Sequence, residues 1–180
     1  MHSRGRSYAR NFQDYWSDEN YYHHHSWTWT EPRPMPDHAV RWLRQAVSDL
    51  KAAELFQQNI GEDFHNWVCY KCQQAAEKAL KGVWYTIDGN KVTHAHNVYN
   101  IACGLPYDNL KALASELQNL IGDHTRMRYP DTLSYPQIPN DVYNKNHSQR
   151  GCEIARKIVN GASEIINSND SRGAKKKRTE

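Results

Sequence analysis

The sequence is short of the features that build membrane, secreted or disulfide-stapled proteins. In 180 residues it has four Cys, nine Gly and three Met. No stretch approaches the run of about 18 apolar residues that a membrane-spanning helix needs. The opening MHSRGRSYARNFQDYW lacks the apolar segment of a secretory signal. Four cysteines without such a signal point to free thiols in a reducing compartment. The expectation is a soluble, intracellular protein of the cytoplasm. Glycine-rich phosphate loops of the G-x-G-x-x-G or G-x-x-x-x-G-K-[ST] type are also missing. Any nucleotide would therefore be held by side chains or helix N-termini.

Charge of one sign is scarce as well. Lys and Arg number 23 against 20 Asp and Glu, a formal +3. Residues 172–180, RGAKKKRTE, hold five basic residues and one acidic, a net of +4, which leaves residues 1–171 at −1. A neutral body with a basic tail does not present a broad polyanion-binding surface. An anion site would have to come from local clustering, which suits a small nucleotide better than a long nucleic acid.

What is present divides the chain in three. Residues 1–36 carry eight aromatics but no Leu, Ile or Val, and end in EPRPMP. Such a segment has nothing from which to build a core, and alternate prolines forbid helix. It reads as a disordered, aromatic-rich linker, and its Tyr21–His25 run as a polar cluster. Residues 37–168 have a helical period throughout. Asp37 is placed to cap a first helix to about Asn59, with Val40, Leu43, Val47, Leu50 and then Glu54 or Leu55 inward and Gly61 at its end. Asp63 is placed to cap a second helix to about Asp88. Its apolar face is wider than one stripe, the mark of a central helix or a subunit interface. Thr93 would cap a short helix holding Val98, Ile101 and Leu105. Pro106 and Asp108 open a fourth, striped by Leu110, Leu113, Leu117, Leu120 and Ile121. Residues 126–141 contain three of the seven prolines and cannot be regular helix. A last helix starts at Asp141 or Asn146. The expected fold is all-α, a four- to five-helix bundle with a Pro-rich loop before the last helix. Residues 169–180 read as a disordered basic tail.

Several motifs carry possible chemistry. Cys69-Tyr70-Lys71-Cys72 spells a CxxC, but it lies mid-helix with no second half of a zinc site, so buried thiols are the expectation. His94 and His96 are two apart on a short helix, an awkward spacing for joint ligation. No metal site is expected. Gln74, Lys78 and Lys81 share one helical face, and Arg126 and Arg128 flank a helix end beside Tyr129. Both clusters suit phosphate, or else solvated faces with Glu77 and Asp131 as counterions.

The order QQAAEKALK (73–81), HNVYNI (96–101) and RYPD (128–131) before a final helix resembles the HEPN domain family over about residues 38–167. The stretches AVRWLRQA (39–46), NWVCYKC (66–72) and RYPDTLSYPQIPND (128–141) are most similar to a branch that forms the C-terminal domain of a giant J-domain co-chaperone. The resemblance implies an all-α bundle that forms homodimers and serves chaperone machinery. It also implies binding of GTP or ATP, without hydrolysis and with no required cofactor. Lys78, Lys81, Arg126 and Arg128 are then the candidates for phosphate, Gln74 for a polar contact, and Tyr129 or Trp84 for stacking on the base. Arg128 has an alternative role, bonding helix C-terminal carbonyls. Ribonuclease members of the family use R-x(4–6)-H near the last helix. Here the next His after Arg128 is His147, and the literal match Arg33…His38 straddles the linker. The expectation is that the domain is not an enzyme, with ribonuclease activity or ligand-free dimerisation as the alternatives.

Overall fold

The structure, a computed structural model, describes residues 36–88 and 93–176. Nearly all of the linker, its His cluster and the last four residues lie outside the described residues. Six α-helices follow in order: α1 (Pro36–Asn59), α2 (His65–Ile87), α3 (Val98–Cys103), α4 (Asp108–Ile121), α5 (Pro139–Val142) and α6 (Lys145–Lys176). Among the described residues a 3-10 turn occupies Pro130–Thr132. No strand occurs among the described residues. The expected all-α bundle is what forms: α1, α2, α4 and α6 are its long members, α3 is short and α5 a single turn.

Helix α2 is the axis of the bundle. It contacts α1, α3, α4, α5 and α6. Val68, Cys69, Cys72, Ala75, Ala76, Ala79, Leu80 and Val83 are all fully buried, which explains why its apolar residues spread beyond one stripe. The small ones let neighbouring backbones close in. A Cβ on Gly82 would stand 3.2 Å from the carbonyl oxygen of Ala39 and 3.1 Å from Cδ1 of Ile166. The α1 backbone and the Ile166 side chain of α6 thus both close on α2 there. On α4 the buried stripe is Leu110, Ala114, Leu117 and Ile121, while Leu113 and Leu120 sit half-buried at its flank.

Helix ends depart from the expected caps. Proline is favourable in the first turn because its missing N–H has no helical partner there. Helix α1 accordingly begins at Pro36, and Asp37 lies inside it. Leu55 is exposed, and Ala53 faces the core in its place. Gly61 ends this region with φ 63°, as expected. Asp63 caps nothing, because Phe64 takes the cap position in the left-handed region, φ 64°, and its N–H donates to Asn140 Oδ1 at 2.9 Å. Asn97 rather than Thr93 caps α3, its Oδ1 accepting from Asn100 N. Helix α3 stops before Leu105. Asn144 caps α6, its Oδ1 accepting from the N–H groups of Asn146 and His147, and Asp141 sits in the α5 turn. In each case a residue whose amide or backbone is locally better placed outcompetes the one that periodicity suggests. Helix α6 also runs on to Lys176, well past residue 168.

Two buried polar residues at the start of α2 hold the chain that precedes the site. His65 Nδ1 is 2.9 Å from Ser148 Oγ on α6. Asn66 Nδ2 donates to the carbonyl of Met127 at 2.9 Å. Met127 is itself fully buried, so the connection from α4 is pinned at its middle. Its neighbours Arg126 and Arg128 are thereby turned toward the surface.

Candidate functional site

The site begins on the outer face of α2. Lys78 Nζ lies 2.8 Å from Asp49 Oδ2 on α1 and donates to Gln74 Oε1 at 2.8 Å. Lys71, about two turns earlier, reaches the other oxygen of Asp49 at 3.0 Å. Burial would raise the Asp49 carboxyl, but hydrogen bonds and charge from Lys78 and Lys71 outweigh it and hold the group below the ordinary carboxylate range. Lys81 is buried and bonds Glu77 Oε1 at 2.9 Å, with its ammonium 5.7 Å above the Trp42 ring. Glu77 also accepts from Gln73 at 3.1 Å. Its carboxyl is likewise lowered: burial raises it, but the partners Lys81, Gln73 and His96 overcome that effect.

From Glu77 the network crosses to the 93–97 connection. Gln73 Nε2 donates to the His96 carbonyl at 2.7 Å, and His96 Nδ1 stands 3.1 Å from Glu77 Oε1. The His96 ring tilts against that of His124, centroids 5.0 Å apart. His124 belongs to the α4–α5 connection, and its Nδ1 lies 2.9 Å from Asp123 Oδ1, off the line of a hydrogen bond. Arg128 Nε donates to the His124 carbonyl at 3.2 Å. The Arg128 guanidinium lies over two aromatic rings, 4.6 Å from the centroid of Tyr70 and 5.0 Å from that of Tyr129, within the range of cation–π attraction.

The candidates from the sequence therefore fall into two groups. Gln74, Lys78 and Lys81 are together, but both lysines have carboxylate partners. Arg128 and Tyr129 are together, while Arg126 packs against Gly122 and Tyr143. Neither arginine forms an ion pair among the described residues, and the expected counterion Asp131 reaches neither of them. Arg128 bonds the His124 carbonyl, in the turn beyond α4 rather than at a helix C-terminus, while part of its fork remains open. Trp84 is engaged elsewhere: its Nε1 donates to the Ile101 carbonyl at 3.0 Å, and its ring fills the space over Gly104. It is not free to stack on a base. Tyr129 is half exposed.

Sequence reasoning missed Asp49, Gln73, Tyr70, His124 and the part played by His96. Tyr70 shares the face of Gln74, and Gln73 that of Glu77, each at i, i+4, so both could have been added. Asp49 and His124 come from distant segments, with no local signal. The CxxC is a pair of buried thiols, as expected. Cys72 Sγ is 3.5 Å from Cys152 Sγ on α6, and hydrogen bonding to Cys152 together with burial pushes the Cys72 thiol up. No group of three or more His, Cys, Asp or Glu suited to a metal ion occurs among the described residues. His147 serves the start of α6, with Nδ1 2.9 Å from Asn144 Oδ1, and forms no contact with Arg128. Arg33 of the literal motif lies outside the described residues. Among the described residues no helix is long and apolar enough to cross a membrane.

The family model for the HEPN domain matches residues 39–168. The chain belongs to the HEPN domain family. It is 30% identical over 128 residues to human sacsin, a match covering 69% of this chain but 3% of that protein. Two solved structures share the HEPN-domain fold. TT1696 from Thermus thermophilus aligns with a TM-score of 0.58 at 27% identity, covering 71% of this chain and 98% of that one. ST0689, an archaeal HEPN homologue, aligns at 0.56 and 25% identity, covering 72% and 98%. The match to sacsin agrees with the branch of the family that the sequence resembles.

Proposed function

We propose that this HEPN domain is a dimerising, non-catalytic module that binds a nucleoside triphosphate, GTP or ATP, within a sacsin-like, chaperone-associated protein. The observation that carries the reading is the Arg126–Arg128 pair. Both guanidinium groups sit at the surface of a pinned connection without an acidic partner among the described residues, and Arg128 contacts the rings of Tyr70 and Tyr129. Planar guanidinium forks grip phosphate bidentately, and Tyr129 offers a half-exposed face to a base. Lys78 and Lys81 act at one remove: they keep Asp49 and Glu77 neutralised, so that the local balance favours an anion. Gln74 orients Lys78. The dimer would form through the exposed apolar corner between α1 and α2, where Leu55, Phe56, Phe64 and Trp67 face solvent and Phe56 stacks on Phe64.

Calorimetric titration with GTP and with ATP tests the ligand. Arg128→Ala should weaken binding about tenfold or more, the value of a charge-assisted contact. Equal affinity in the variant, or no heat with either nucleotide, would overturn the reading. Sedimentation at several concentrations tests the dimer, which Trp67→Glu should dissociate.

A further inference from the structure

Two imidazoles meet beside the open arginine, and each faces a carboxylate. His96 Nδ1 lies 3.1 Å from Glu77 Oε1. A carboxylate there keeps the proton of the neutral ring on Nδ1, so Nε2 carries a lone pair and turns phosphate oxygens away. Protonation converts that Nε2 into a donor. His124 Nδ1 is shielded from solvent and lies 2.9 Å from Asp123 Oδ1, off the hydrogen-bond line. Neither Nε2 has a partner among the described residues. The rings are 5.0 Å apart, and Arg128 is tied to the same segment through the His124 carbonyl.

We propose that His96 and His124, together with Arg128, form a proton-gated seat for a terminal phosphate of the bound nucleotide. The inference rests on the nucleotide-binding reading and names the part of the site that holds the polyphosphate. With both rings protonated, two cations face each other at close range and repel. A phosphate dianion between their Nε2–H groups removes that repulsion and accepts from both. The groups around the pair are Glu77 and Lys81 from α2, Asp123, Arg126 and Arg128 from the α4–α5 connection, and Tyr143 from the segment before α6. Lys81 is spent on Glu77, and the Tyr143 hydroxyl donates to the Ile121 carbonyl. A phosphate seated between the rings favours the protonated pair, so binding takes up protons. Imidazole ordinarily changes charge between about pH 5 and 8, so affinity should rise as pH falls through that range.

The test is titration calorimetry of the whole chain with GTP and with inorganic tripolyphosphate at pH 6 and pH 8. Each titration is run in two buffers of different ionisation enthalpy, which counts the protons taken up. Wild type should bind both ligands roughly tenfold or more tightly at pH 6 than at pH 8, with proton uptake. His96→Gln and His124→Gln should each lose part of that uptake, and the double variant should keep only the share that comes from the ligand's own phosphate, which is common to all variants. Thermal melts of the free proteins separate misfolding from loss of the seat. Should a variant fail to fold, the wild-type proton count decides, since uptake no greater than the ligand's own would overturn the proposal. GTP binding with unchanged proton uptake in the folded double variant would overturn it while leaving nucleotide binding intact. No binding of GTP at either pH would overturn the nucleotide reading and this inference with it.

Discussion

Asp49 on α1 and Lys78 on α2 meet across the helix pair with oxygen and nitrogen 2.8 Å apart. The contact turns a lysine that the sequence offers to a ligand into part of the scaffold. It also makes α1 a participant in the charge balance of a surface that otherwise belongs to α2 and two connections.

Removing that carboxylate should have two opposite effects. Asp49→Asn leaves Lys78 and Lys71 without their charge partner, at a cost of about 1–3 kcal/mol in stability. The same change adds positive charge beside the candidate site and should tighten nucleotide binding. Urea unfolding and calorimetric titration of one preparation check both. Lys71 is the more exposed of the two lysines, 41% against 21%, so Lys71→Met should cost less than Lys78→Met.

Acid should unfold the domain through its lowered carboxylates. Asp49, Glu77 and Asp123 all lie below their ordinary range. Burial raises each of them, and their hydrogen-bond and charge partners more than reverse it. Such groups bind protons more readily in the unfolded chain. Their stabilisation is complete above the ordinary carboxylate range and is lost as pH falls through about 4 and below. Midpoints of urea unfolding between pH 7 and pH 3 should drop over that window, and Glu77→Gln should flatten the drop.

Gly104→Ala should destabilise through overpacking. The added Cβ would overlap Cζ2 of Trp84, whose ring is also held by its bond to Ile101. The expected cost is about 1–3 kcal/mol, visible as a lower thermal midpoint and a shifted tryptophan emission. Trp84→Leu in the same background should recover part of it.

The four thiols should separate cleanly by reactivity. Cys103 is exposed, while Cys69, Cys72 and Cys152 are buried. A thiol reagent added to the native protein should modify one group quickly and the other three only upon unfolding. Burial, with a lesser contribution from Cys152, pushes the Cys69 thiol far up, which reinforces the difference. Fast reaction of two or more thiols would contradict the burial of the CxxC pair.

Much of the fold is readable from residue spacing alone. The stripes Leu43, Val47, Leu50 and Leu110, Leu117, Ile121 announce their helices, and the excess of small apolar residues on α2 announces its central place. Helix starts are less legible, because Asp37, Asp63 and Thr93 satisfy the same local chemistry as Asn97 and Asn144, and only tertiary placement chooses between them. Arg126, Arg128 and Tyr129 are neighbours in sequence, so their grouping is visible. The pairing of His96 with His124 is not, since it depends on the Asn66–Met127 bond and on the path of the chain between α2 and α3. Lys78 and Lys81 illustrate the converse. Their shared face follows from helical spacing, but the carboxylate of Asp49 lies a full helix away and leaves no trace in the local pattern.

The close packing of α1 and α6 on α2 at Gly82 has an evolutionary and practical consequence. With three long helices packed together at one point, the bundle acts as a chassis. The segments around residues 93–97 and 122–129 hang from it by a few bonds. Relatives, or protein engineers, could exchange those two segments and change what the surface recognises while leaving the core sequence untouched. The mirror experiment is equally direct. Grafting 93–97 and 122–129, with Tyr70, Gln73 and Glu77, onto the framework of a heat-stable relative should carry the recognition surface across without the rest of this chain.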